Sequence, residues 1–73
     1  MKYLIFEKTG DRWQARFCNE EELRQALRDA VADNEGKELA AEALEAANDR
    51  EADGQKLINY LYALTGSPVY ARA

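Results

Sequence analysis

Residues 12–31 read RWQARFCNEEELRQALRDAV, and inside this stretch the apolar period changes from that of a strand to that of a helix. From Arg12 to Cys18 the pattern alternates, with Trp13, Ala15 and Phe17 on one side and Arg12, Gln14 and Arg16 on the other. Leu23, Ala26, Leu27, Ala30 and Val31 then recur at the spacing of an amphipathic helix. Asn19 marks the switch. It is a strong N-cap, Glu22 three residues on completes a capping box, and Cys18 before the cap can staple against Leu23. Glu20, Glu21 and Glu22 fall in the first turn, where the helix dipole favours negative charge. The triple glutamate is therefore read as helix initiation and not as a ligand cluster. A strand feeding directly into a helix places the chain in the α+β class.

Working toward the N-terminus, Lys2–Lys8 is rich in strand formers, Tyr3, Ile5 and Phe6 among them. Thr9-Gly10 separates it from Arg12–Cys18, so residues 1–18 form a β-hairpin. A turn at Thr9-Gly10 pairs Glu7 with Arg12, Phe6 with Trp13 and Leu4 with Ala15. That register gathers Leu4, Phe6, Trp13, Ala15 and Phe17 on the buried face. It leaves Tyr3, Ile5, Gln14 and Arg16 outside. On this reading Trp13→Ala costs roughly 3–5 kcal/mol.

Working toward the C-terminus, Asp33-Asn34-Glu35-Gly36 breaks the first helix. A second helix runs from about Glu35 to Ala47 on Leu39, Ala40, Ala43, Leu44 and Ala47. Asn48-Asp49-Arg50-Glu51 reads as another capping box that restarts a helix at Asp49, or else Asp53-Gly54 is the break. The last helix carries Leu57, Ile58, Leu61 and Leu64 inward, and Gly66 then Pro68 ends it. The tail, residues 67–73, adds a short strand or packs on the hairpin. The expectation is ββααα over residues 1–73 as a single small domain: hairpin 1–18, helical part 19–66, tail 67–73. Leu4, Phe6, Trp13, Phe17, Leu23, Leu27, Leu39, Leu44, Leu57, Leu61 and Leu64 share its core. A chain of 73 residues with 47% apolar content leaves no room for a second core.

Charge is uneven along the chain. Residues 1–18 carry a net +2, residues 19–53 a net −8 and residues 54–73 a net +2. Within the acidic middle, Glu38, Glu42, Glu45, Asp49 and Asp53 follow at steps of three or four, which on a continuous helix makes one acidic face. Like charges at i,i+4 repel by a few tenths of a kcal/mol per pair, so a basic partner or plain solvation must accommodate them. Nucleic acid and anionic lipid are repelled over most of such a surface.

Catalytic chemistry is excluded more firmly than it is found. The sequence has no histidine, which removes the commonest general base and every Ser-His or Cys-His pair. Cys18 is the sole cysteine, so no internal disulfide forms, in keeping with a reducing compartment. Asp49-x-Glu51-x-Asp53-Gly54 imitates the start of a calcium loop, but Tyr60 stands where a bidentate glutamate is needed. No cofactor or metal is expected.

The leading expectation is a non-enzymatic, cytoplasmic protein-binding module or inhibitor. Its acidic face (Glu38, Glu42, Glu45, Asp49, Asp53) docks on a basic surface of a larger protein, one that handles nucleic acid for example. No direct contact with nucleic acid or membrane is expected. Phage-encoded inhibitors such as anti-CRISPR proteins share this general character, an analogy of type alone. The alternative is a homo-oligomeric accessory protein associating through its Tyr/Leu-rich last helix. Tyr3, Ile5, Tyr60 and Tyr62 are the candidate apolar interface and a symmetric homodimer is the expected form.

Overall fold

The computed structural model describes residues 2–72. The elements run β1 (Lys2–Thr9), β2 (Arg12–Cys18), α1 (Glu20–Asp33), α2 (Glu38–Asn48), α3 (Gly54–Thr65) and β3 (Val69–Arg72). The α+β class and the N-terminal hairpin stand, and the tail supplies a strand. β3 pairs antiparallel with β1 on the side away from β2, giving the sheet order β2-β1-β3. No helix among the described residues is long and apolar enough to cross a membrane.

The hairpin loop lies one residue later than Thr9-Gly10 suggests, which shifts each residue's cross-strand partner by two. Thr9 pairs with Arg12, Lys8 with Trp13 and Phe6 with Ala15, so the loop is Gly10-Asp11. Gly10 has φ 64° and no non-glycine residue among those described has positive φ. That is the requirement of a type II′ turn, with glycine first, whereas a Thr9-Gly10 loop of type I′ would force a β-branched residue to positive φ. A shift of two keeps every side chain on its own face. Leu4, Phe6, Trp13, Ala15 and Phe17 do share one face.

That face is the outer one. Tyr3, Ile5, Cys18 and Val69 point into the core, while Trp13 and Phe17 are exposed and Leu4 and Phe6 only half-buried. Tyr3 pairs with Cys18 and Ile5 with Val69, so the three strands contribute one continuous inner patch. Cys18 decides the side, because it precedes the Asn19 cap and must follow α1 into the core. The helices reach β1, β3 and the Cys18 end of β2, leaving Arg12–Phe17 exposed on both faces. The alternation along β2 is therefore real but carries no information on burial.

The helices supply the rest of the core: Leu23, Leu27, Ala30 and Val31 from α1, Ala40, Ala43, Ala46 and Ala47 from α2, Leu57, Ile58 and Leu61 from α3. Leu39 and Leu64 are only partly buried and Leu44 is exposed, so these three do not join it fully. Alanine instead faces inward on α2, which lets that helix sit close against α1 and α3.

The capping box forms as the sequence specifies, Glu22 N–H donating to Asn19 Oδ1 at 2.8 Å and Asn19 N–H to Glu22 Oε1 at 3.0 Å. α2 starts at Glu38, later than Glu35, after a turn through Asn34-Glu35-Gly36. The restart falls at Gly54, where Asp53 Oδ1 accepts the Lys56 N–H at 2.9 Å. Gly66, at φ 74°, ends α3.

Gly54 also lies against the Tyr3 ring. A Cβ there would overlap the Tyr3 hydroxyl and sit 2.9 Å from Cζ. Gly54→Ala is expected to destabilise the fold by about 1–3 kcal/mol despite alanine's better helix propensity. Adding Tyr3→Phe should recover part of the loss, a coupling that denaturant titration of the four-member cycle would read.

Candidate functional site

The acidic residues do not form one helical face. α2 carries Glu38, Glu42 and Glu45, but Asp49 is its C-cap residue and Asp53 the N-cap of α3. Asp49 Oδ1 accepts the Glu51 N–H at 2.9 Å and Asp53 caps Lys56, so both carboxylates are occupied with local backbone. This also accounts for the calcium-loop likeness: those carboxylates are spent on a turn and a cap. Glu42, Glu45 and Asp49 still converge with Lys56 and Tyr60 around a depression of about 270 Å³. Glu38, Glu42 and Glu45 are exposed and form no ion pair with described residues. α2 touches α1 and α3 but no strand, which puts this charge far from the sheet.

The candidate apolar interface divides. Tyr3 and Ile5 lie in the core and are unavailable to a partner of the folded chain. Tyr60 is half-buried against the core, and Tyr62 alone is exposed. Leu57, Ile58 and Leu61 are consumed inside the chain, so the last helix has little apolar surface left.

The uncovered surface is the outer face of the sheet. By register it gathers Lys2, Leu4, Phe6 and Lys8 from β1, Trp13, Ala15 and Phe17 from β2, and Tyr70 and Arg72 from β3. Trp13, Phe17 and Tyr70 are 56%, 60% and 59% exposed. Phe6 meets Tyr70 edge-to-face at 5.9 Å, and with Trp13 and Pro68 these rings line an apolar depression of about 250 Å³. Every charged side chain that the register puts on this face is a cation. Lys2 and Arg72 stand directly opposite one another, a like-charge pair with no acid between them on the face. The sequence did hold a signal for this surface. β1 is apolar on both faces, Tyr3 and Ile5 against Leu4 and Phe6, and a single layer of helices covers only one of them.

A further residue with no role predicted from the sequence is Arg24, 2% exposed in the second turn of α1. Its Nη1 donates to the carbonyls of Ala46 at 3.2 Å, Ala47 at 3.2 Å and Asp49 at 2.7 Å, and its Nη2 to Ala52 at 2.9 Å and Glu20 Oε1 at 3.3 Å. Arg28 adds Nη2 to Ala47 at 3.2 Å and Nε to Asn48 Oδ1 at 3.0 Å. α2 has no basic residue in its last turn and no glycine cap. The two arginines, one turn apart on α1, neutralise its negative end from outside.

The remaining chemistry is quiet. Burial pushes the Cys18 thiol above its ordinary 9.0, with Glu22 and Glu7 adding to the shift against Arg16. It stays protonated at neutral pH and is a poor nucleophile. The cleft between sheet and helices, lined by Ile5, Arg16, Asp29 and Thr65 among others, holds only about 150 Å³. Among the described residues no group of three His, Cys, Asp or Glu is placed to hold a metal ion. Comparison with protein-family models, with curated proteins and with solved structures finds no match to this chain.

Proposed function

We propose that this protein is a non-enzymatic protein-binding module whose docking surface is the open face of its sheet. One observation carries the reading: Trp13, Phe17 and Tyr70 stand more than half exposed on a contiguous face with Leu4 and Phe6. Single exposed apolar residues are ordinary, but a contiguous aromatic patch marks an interaction site. Lys2, Lys8 and Arg72 at its margins give the apolar centre and polar rim of a protein interface, with tryptophan and tyrosine as anchors. Its depression is open and shallow, which suits a protein surface better than a small molecule. The partner it fits offers an apolar centre edged with carboxylates.

A second reading places the contact on the acidic side of the molecule, against a basic surface of a larger protein, as an inhibitor would dock. Its support is the trio Glu38, Glu42 and Glu45, exposed and without ion-pair partners among the described residues. Two variants separate the readings in one capture experiment on native lysate. Trp13→Ala/Phe17→Ala should keep the thermal midpoint and lose the captured protein if the sheet face docks. Glu42→Lys/Glu45→Lys should do so, and binding should fall steeply with added salt, if the acidic side docks. Capture that survives the aromatic double variant sinks the sheet-face reading.

A further inference from the structure

β2 is an edge strand that no other described element covers. Its neighbour on one side is β1, and no described element pairs with its other side. Arg12–Phe17 is exposed on both faces, contains no proline and pairs with β1 without a bulge. Natural edges are usually blunted by such devices or by charge; on β2 the charges are Arg12 and Arg16, and Arg16 is paired with Glu7 of its own sheet.

The direction of its free hydrogen-bonding groups follows from one bond on the far side of β1. The Phe6 N–H donates to the Pro68 carbonyl at 2.9 Å, so the Phe6 peptide groups face β3. Its partner Ala15 is then a non-hydrogen-bonded residue of the hairpin, with its own N–H and C=O turned outward. By alternation Trp13 and Phe17 turn theirs outward too. The closing pair Thr9–Arg12 of a two-residue hairpin is hydrogen-bonded, which sets the same phase from the other end.

We propose that β2 pairs antiparallel with β2 of a second copy, about a two-fold axis at Ala15. Ala15 then faces Ala15 of the second copy, and Trp13 faces Phe17, twice. These are the outward residues, so each such pair exchanges two main-chain bonds and no outward group from Trp13 to Phe17 is left over. Aromatic side chains directly opposite on one face add to the pairing. On the other face Gln14 meets Arg16 and Arg12 meets Cys18, so no like charges stand opposite. The neighbouring two-fold registers lack this. An axis at Gln14 sets Arg12 against Arg16, and an axis at Arg16 sets that residue against itself. The product is one continuous six-stranded sheet whose aromatic face is doubled in width. It stands independently of the proposed docking function. The interface is small, at the low end of specific contacts, so the association is micromolar or weaker.

Sedimentation velocity of the whole chain, from micromolar to millimolar concentration, should show a monomer–dimer equilibrium. Ala15→Pro removes an outward N–H that β1 does not use, a position where edge strands accept proline. It should leave the circular dichroism spectrum in place and weaken the dimer about tenfold or more. Should that variant unfold, a pair of double variants at exposed positions decides instead. Trp13→Lys/Phe17→Lys sets like charges opposite across the axis, and Trp13→Glu/Phe17→Lys sets opposite charges there. The second should associate at least about tenfold more tightly than the first. A monomer at millimolar concentration overturns the proposal. So does a dimer that Ala15→Pro leaves intact, or one equally strong in both charge variants, since either places the contact elsewhere, as on the Tyr62 side of α3.

Discussion

Arg24→Leu is expected to remove about 3–5 kcal/mol of stability, most of what a domain of this size holds. The guanidinium serves four carbonyls at the end of α2 and in the turn beyond it; the bonds to Ala46, Ala47 and Ala52 are buried and the one to Asp49 partly so. Leucine fills part of the volume but makes none of these bonds. The Ala52 carbonyl is left without a donor, a cost of about 1–3 kcal/mol where water cannot enter. The carbonyls of Ala46, Ala47 and Asp49 lose a charged donor and keep only the Asp49 N–H, Arg28 Nη2 and the Ala52 N–H. Glu20 is half-exposed and can return to solvent, so the loss comes from the carbonyls more than from the ion pair. Arg24→Lys should fall between, because an ammonium cannot span two sides of the turn as a planar fork does. Thermal and denaturant unfolding of the three proteins measures this. A leucine variant within about 1 kcal/mol of the parent would mean that water replaces the arginine at no cost.

The second large effect separates the two faces of the sheet. Ile5→Ala should cost roughly 2–4 kcal/mol, because its side chain is buried against the helices. Trp13→Ala should change stability by less than about 1 kcal/mol, although it deletes far more apolar area, because its ring is mostly in solvent. Reading the pattern of β2 alone leads to the opposite ranking. Urea midpoints at low protein concentration, where self-association does not contribute, give the order directly. Equal losses at the two positions would mean that both sheet faces are packed.

Local chemistry was legible in the sequence wherever a residue acts on its own neighbours. The Asn19–Glu22 box and the Gly66 stop are short-range hydrogen-bond and dihedral requirements, and each appears where those residue types allow it, whereas Asn48 and Asp53 offered two competing local signals and the structure uses Asp53 as the cap. The hairpin and the division of its residues between two faces were legible for the same reason, since strand period and turn chemistry are local. Gly10 even held the register, as a glycine that must come first in its loop.

Which side of the hairpin the helices cover was set by long-range packing. β1 is apolar on both sides, so its own pattern is symmetric to the question, and the strong alternation of β2 belongs to a strand that the helices reach only at its Cys18 end. The answer came from the Cys18 junction and from β3 arriving beside β1, contacts distant in sequence. The same distance hid Arg24, a cation on a helix flank whose partners are carbonyls 22–28 residues away. It also dissolved the acidic face, because Asp49 and Asp53 share a helical period with Glu38, Glu42 and Glu45 only if α2 continues past Asn48, and it stops there. Periodicity specifies what a segment can present. Which surface is buried depends on where the other segments find room to pack.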